Sequence, residues 1–265
     1  MITNADLAYK QLVASCLAGE KVNTRNSWVY RSLSYQFTFD KFPLVSVRKT
    51  AWKSALREWE WFMSGSHNVN DLHESVRHWW KPWANERGNI PYNYGSQFRY
   101  YQSVGQVDQI AEIIEGVKEH PYSRRNVITS WNAFDMRRPE CPLTNCHTSF
   151  AEFSGSPDGK LHYHTVQRSA DVIVGLGANW AQSWAFLVWV AHLTGRQVGT
   201  MTWTGIDCHV YEQHEEVARK ITSAFVPQKS LGLVYTPTSE KFLADDFTLD
   251  GEYLPVVCDK VEMVV

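Results

Sequence analysis

The run from Trp180 to Leu193 is the most apolar stretch of the chain, and it restricts the folds open to it. It falls short of the ~20 residues that cross a bilayer, so it reads as a helix buried in a protein core. Gly175 and Gly177 punctuate its entry. The 265 residues allow one large domain or two small ones, with ample core either way. The twelve tryptophans suit such a core, and such rings also make flat walls for planar ligands.

Other elements follow from periodicity. Ala5, Ala8, Tyr9, Leu12, Val13 and Cys16 recur at helical spacing, and Gly19 ends that helix. Val29 to Phe39 alternates like a strand. Phe42 to Val45 is a short extended piece. Ala51 to Met63 predicts a helix, broken at Ser64-Gly65-Ser66. His73 to Ala84 is tryptophan-rich, and Asn89 to Arg99 reads as a loop around Pro91 and Gly95. Asp108 to Lys118 predicts a helix that Pro121 stops. Val127 to Trp131 is a strand. Phe150 and Phe153 begin another, turned at Pro157-Asp158-Gly159 and returning over Leu161 to Gln167. Val198 to Thr204 predicts a strand and Tyr211 to Ala224 a helix. No repeat or linker interrupts the chain, so one α+β domain over residues 1–265 is the economical reading.

Charge and cysteine usage bound the functions. A net charge of −2 leaves no broad basic field, which argues against a nucleic-acid surface. Met1 to Gly19 lacks a basic leader pattern. Five cysteines without framework spacing predict free thiols and a reducing, cytoplasmic setting.

Four groups carry possible chemistry. Cys146-His147, after Cys141-Pro142-Leu143-Thr144-Asn145, offers a thiol beside an imidazole. A nearby imidazole or cation raises the thiolate fraction and would make Cys146 a nucleophile. The same cysteine could equally be a small buried hydrophobe. A metal held by Cys141, Cys146 and His147 lacks a matching Cys/His pair elsewhere, so no metal is expected. Arg25, Arg124, Arg125 and Arg168, with Ser169, could converge on a phosphate dianion, or each could be a solvated surface arginine. Asp171 to Asn179 combines glycines, Gly175 among them, with an amide that both donates and accepts. Finally, alternation places His209 and Tyr211 on one side of an extended segment after Asp207. A metal on His209 and His214 lacks a third ligand.

These pieces resemble the thymidylate synthase family nearly end to end. The matches are Ser123-Arg124-Arg125 with Trp131-Asn132, Cys146-His147, Gln167 to Val172 followed by Gly175-Leu176 and Asn179, and Trp203-Thr204-Gly205 through Asp207, His209 and Tyr211. Glu58 before Trp61-Phe62, Trp80 and Trp83, Tyr94-Gly95 and the terminal Glu262-Met263-Val264-Val265 also match. The resemblance implies a large mixed β-sheet with surrounding helices, dimerising through the sheet face. It implies that Cys146 attacks C6 of dUMP and that C5 accepts a one-carbon unit from 5,10-methylenetetrahydrofolate. Arg25, Arg168 and Ser169 would hold the phosphate, with Arg124 and Arg125 reaching in from the partner subunit. Asn179 would read the base, and His209 and Tyr211 the sugar. Glu58, Tyr94 and His147 would order the proton network. Asp171, Trp79, Trp80, Trp83, Leu143, Gly175 and Val265 would face the folate, Asp171 also near the chemistry.

The chain departs from the usual synthases at several places. Asn145 replaces the proline before the nucleophile, and Gly177-Ala178 replaces a Pro-Phe pair before Asn179. An extra residue is expected near Ala181-Gln182-Ser183. Glu58-Trp59-Glu60-Trp61 and Asn93-Tyr94-Gly95 look more like the viral pyrimidine hydroxymethylase branch. The resemblance therefore implies a deoxyuridylate hydroxymethylase, with thymidylate synthase as the alternative. An asparagine at 179 implies uracil, since the cytosine-specific relatives carry aspartate there.

Overall fold

The computed structural model of the chain describes residues 2–102, 105–142, 144–228 and 230–264. Leu143 and Val265, both expected near the folate, lie outside the described residues.

Helix α1 (Ala5–Leu17) begins at Asn4, whose side chain accepts from the Leu7 amide at 3.0 Å. Strands β1 (Glu20–Asn23) and β2 (Trp28–Phe39) pair antiparallel and carry Arg25 on the loop between them. Helix α2 (Trp52–Ser64) stops at Gly65, whose φ of 76° suits a residue without a side chain. Helices α3 (Glu74–Trp80) and α4 (Tyr94–Arg99) follow, then a small hairpin of β3 (Tyr101–Gln102) and β4 (Gln106–Val107). Helix α5 (Gln109–Glu119) is capped by Asp108. Then come β5 (Val127–Ile128), β6 (Phe150–Gly155), β7 (Lys160–Asp171), α6 (Leu176–Leu193) and β8 (Gln197–Tyr211). Helix α7 (Glu215–Ser223) and a hairpin of β9 (Leu233–Tyr235) and β10 (Phe247–Leu249) close the chain.

Among the described residues, six strands form the principal sheet, in the order β1-β2-β8-β7-β6-β5. The sheet is mixed: β7 and β8 run parallel and the other pairs antiparallel. A parallel pair needs a crossover, and α6 supplies it. This architecture is α+β. Register sorts the two faces. Phe39, Met201, Tyr163 and Phe153 lie side by side, each buried. The next row but one away repeats the pattern with Phe37, Trp203, Thr165 and Ala151. On the opposite face Gln36, Thr204, Val166 and Phe150 form one row, and Thr38, Thr202, His164 and Glu152 another.

The apolar run is a buried helix, as its composition predicts. Phe186 of α6 packs on Phe153 and Tyr163 of the sheet at 5.2 and 5.7 Å between centroids, and on Trp59 of α2 at 5.4 Å. Trp180 packs at 4.9 Å from Phe39 and 5.5 Å from Trp203. Sheet, α6 and α2 thus form successive layers. Burying each such ring is worth roughly 2–3 kcal/mol.

A kink in the sheet creates the functional surface. Trp203 and Cys208 are five residues apart yet both buried in the core, which strict alternation does not allow. Gln167 and Ala170, three apart on the neighbouring strand, show the same break, and Ser34 on β2 has φ 64°. The irregularity is stacked across three strands. Gly205 sits in it: a Cβ there would lie 2.2 Å from the Trp203 ring and 2.6 Å from the Cys208 sulfur. Beyond the kink, Asp207, His209 and Tyr211 turn toward a cavity instead of the open face.

Several boundaries differ from the sequence expectation. Asn89 to Arg99 is not all loop: Asn93 accepts from the Ser96 amide at 2.9 Å and starts α4, whose Tyr94 and Phe98 are buried. The Val127 to Trp131 strand is only Val127–Ile128, because the Ser130 amide turns to the Thr148 carbonyl on the loop after Cys146. The helix expected from Tyr211 begins at Glu215, since β8 runs on through Tyr211.

Candidate active site

The strand ends, α2, α3, α4, α6 and the C-terminal tail enclose a cavity of about 1260 Å³, more than a single drug-sized ligand occupies. Cys146 sits at its floor on a loop held from both sides. The Arg168 side chain donates to the Asn145 and Thr144 carbonyls at 2.9 and 3.0 Å and to the Thr144 hydroxyl at 2.8 Å. From the other side Ser130 donates to the His147 carbonyl at 2.8 Å. Thr148 adopts φ 50°, a costly conformation for a β-branched residue that the surrounding bonds hold in place.

Tyr94 defines the thiol's surroundings. Its hydroxyl accepts from the Cys146 and His147 amides at 2.7 and 3.3 Å. Its own proton is then left for Sγ of Cys146, 3.3 Å away. Burial pushes the thiol above its ordinary range, and the Tyr94 hydrogen bond and the Arg168 charge pull it back. Arg168, stacked 5.0 Å over Trp131, is the cation beside the thiol. The His147 imidazole is not: burial lowers it to about 3, and it stacks on Tyr94 at 4.3 Å with Trp59 and Phe62 near by. Its ring is held neutral at the cavity edge.

A line of polar side chains crosses the cavity wall. Trp203 donates to Gln167 at 3.0 Å, and Gln167 donates to Oδ1 of Asn179 at 3.0 Å. Asn179 donates to Gln182 at 3.2 Å, and Gln182 donates to Oε2 of Glu58 at 2.7 Å. Trp80 donates to Oε1 of Glu58. Burial raises the Glu58 carboxyl to about 7 against the pull of both bonds. Asp171 accepts from the Ile173 and Val174 amides at 3.0 Å and shapes the loop into α6.

Most residues singled out in the sequence meet here. Arg25, Glu58, Trp79, Trp80, Trp83, Tyr94, Cys146, His147, Arg168, Ser169, Asp171, Gly175, Asn179, His209 and Tyr211 all line the cavity. Arg124 and Arg125 do not; both are exposed beside β5. Asn145 is buried and its amide donates to the Ser130 carbonyl at 3.0 Å, so it adds no polar group to the cavity. Gly177 and Ala178 do line it, and a Cβ on Gly177 would lie 2.7 Å from the Thr50 hydroxyl. Sequence reading gave Gln167, Gln182, Trp203 and Thr50 no role. A polar residue inside the apolar run was the available signal for Gln182.

The cavity fits a flat, polar-edged co-substrate such as a folate. Trp79, Trp80 and Trp83 give it an aromatic wall, and the Asp171 carboxylate suits the ring donors of a pterin. Among the described residues no group of three or more His, Cys, Asp or Glu could hold a metal ion, and no helix is long and apolar enough to cross a membrane. Residues 8–265 match the family model described as thymidylate synthase.

Proposed function

The chain belongs to the thymidylate synthase family, and on that premise we propose that it is a deoxyuridylate hydroxymethylase. The coarser activity follows from the family: a folate-dependent one-carbon transfer to dUMP. Residues 1–265 act as one catalytic domain. The observation that carries the finer reading is the wall beside Asn179. Where the usual synthases have Pro-Phe, this chain has Gly177-Ala178 with the Thr50 hydroxyl against it. That exchange removes apolar bulk beside Asn179, which suits a water molecule near C5.

Cys146, ionised with help from Tyr94 and Arg168, attacks C6 and pushes the ring electrons toward C5 and O4. Methylenetetrahydrofolate supplies the one-carbon unit when bound. Asn179 accepts from uracil N3–H and donates to O4. A cytosine has no N3 proton and presents a donor at C4, so it is rejected. Glu58, half-ionised near pH 7, moves protons about C4 and C5 through water. His209 and Tyr211 hold the sugar hydroxyl; Arg25, Arg168 and Ser169 hold the phosphate.

The protein works as a homodimer in this reading. Phe150 and Ile206 are about half exposed on the sheet face that the chain leaves open, and Arg124 and Arg125 stand at the β5 edge of that sheet. A partner docked there would receive both arginines at its phosphate site. The Trp80 wall and the tail along the cavity favour the alternative, thymidylate synthase. Product analysis separates the two. Incubation with dUMP and methylenetetrahydrofolate should yield a hydroxymethylated nucleotide by mass spectrometry without dihydrofolate absorbance. Stoichiometric dihydrofolate with a methylated nucleotide would assign a synthase.

A further inference from the structure

The polar line across the cavity wall has a direction that its two ends impose. An indole N–H only donates, so Trp203 must face the carbonyl oxygen of Gln167. Gln167 then presents its NH₂ to Asn179, and Asn179 presents its own to Gln182. At the other end the Glu58 carboxyl takes one N–H from Trp80 and one from Gln182. Gln182 is fully buried on α6, one turn after Asn179. Its NH₂ spends one hydrogen on Glu58 and the other on the Ala55 carbonyl at 2.9 Å, both on α2. No other residue in the line touches both the amide that faces the base and the carboxyl that moves protons.

We propose that Gln182 is a positioning residue that locks the amide orientation of Asn179 and the hydrogen bonding of Glu58 together, so that one side chain governs both base choice and proton transfer. Its carbonyl oxygen holds the Asn179 NH₂ on one side, leaving one N–H and one lone pair of Asn179 for the base. Its NH₂ favours the ionised form of Glu58, a charge-assisted bond inside a buried site. The titratable group that couples to Glu58 is Cys146, whose thiolate the Glu58 charge opposes, while Tyr94 on α4 and the neutral His147 line the same cavity.

The proposal rests on the uracil reading of the cavity. Two variants test it: Gln182→Met, which keeps the volume and loses both polar contacts, and Gln182→Glu, which keeps an acceptor for Asn179 and loses the donor to Glu58. Binding of dUMP and dCMP is measured by calorimetry, and the Glu58 carboxyl is titrated by difference infrared spectroscopy. Gln182→Met should cut the dUMP:dCMP binding ratio at least about tenfold and move the Glu58 midpoint up by about one to two pH units. Gln182→Glu should move the midpoint up while keeping most of the binding ratio. The proposal is overturned if a folded Gln182→Met protein keeps both the wild-type ratio and the wild-type midpoint, or if Gln182→Glu loses the ratio and keeps the midpoint. Wild-type protein binding neither nucleotide would instead overturn the uracil reading beneath it.

Discussion

Around Cys146, the side chains of Arg168, Tyr94, Gln167 and Asn179 are tied to the Cys146 loop or to neighbouring polar side chains by direct bonds of 2.7 to 3.3 Å. The rest of the cavity wall is made differently. It consists of the Trp79, Trp80 and Trp83 rings, the Gly177-Ala178 step and a C-terminal tail. That tail is held at a distance: Lys220 pairs with Asp259 at 2.7 Å, and the His214 ring meets the Glu262 carbonyl at 2.9 Å. The first wall fixes geometry to the accuracy a covalent step needs. The second carries fewer such bonds and joins the first at Trp80, which donates to Glu58 and packs edge-on against Tyr94 at 6.3 Å. In this account the two walls answer separate questions: which atom is attacked, and what finally quenches the one-carbon unit.

Perturbing the first wall should have the largest effects. Cys146→Ala should lower turnover by at least about 10⁴-fold while leaving dUMP affinity within a few-fold, since the phosphate and sugar contacts do not involve the thiol. Mixing it with Arg125→Ala subunits should restore part of the activity if each site borrows the partner's arginine; subunit exchange without recovery would remove Arg125 from the shared site. Asn179→Asp should lower the dUMP:dCMP ratio of kcat/KM by about 100-fold or more, because the base-reading donor becomes an acceptor. A ratio unchanged in steady-state assays would place base choice elsewhere.

Glu58 gives a smaller, pH-dependent effect with a fixed sign. Burial raises its folded pKa to about 7, above the unfolded value, so the native state binds more protons between those limits. Stability should therefore fall as pH rises from about 4.5 to 7, by about 3 kcal/mol at most. Glu58→Gln should flatten that part of the urea-midpoint profile and slow turnover about 100-fold. His147 has the opposite sign: its pKa is held down near 3, so its contribution is lost as pH falls below the unfolded value near 6.5. The smallest effect belongs to the second wall. Lys220→Ala removes an exposed pair and should change the folate KM by less than about threefold. A tenfold change would show that the tail's tether matters as much as the nucleotide contacts.

The legible parts of the molecule were those with a local signature. The buried helix is visible in Trp180 to Leu193, and the helix ends at Gly65 and Asp108 in residues that stop or cap helices. Cys146, Arg168, Ser169, His209 and Tyr211 each sit in a motif, and the fold brings them to one cavity. The stacked kink was not legible, since the break in alternation from Trp203 to Cys208 shows only when three strands are aligned. The neutral state of His147 was hidden too: it depends on Trp59, Phe62 and Tyr94, which come from other elements. In the sequence Asn145 shows only as a departure from the usual proline, and the fold alone turns its amide toward Ser130.

The central claim is that Cys146 attacks a uracil ring at the floor of this cavity. A 5-fluorinated deoxyuridylate lacks the C5 proton, so with methylenetetrahydrofolate it should stall after both the carbon–sulfur bond at C6 and the bond from C5 to the methylene carbon have formed. Peptide mapping by mass spectrometry of the trapped protein should find one adduct per subunit, containing nucleotide and folate, on the peptide bearing Cys146. An adduct on Cys141, or none in a protein that binds both compounds, would contradict it.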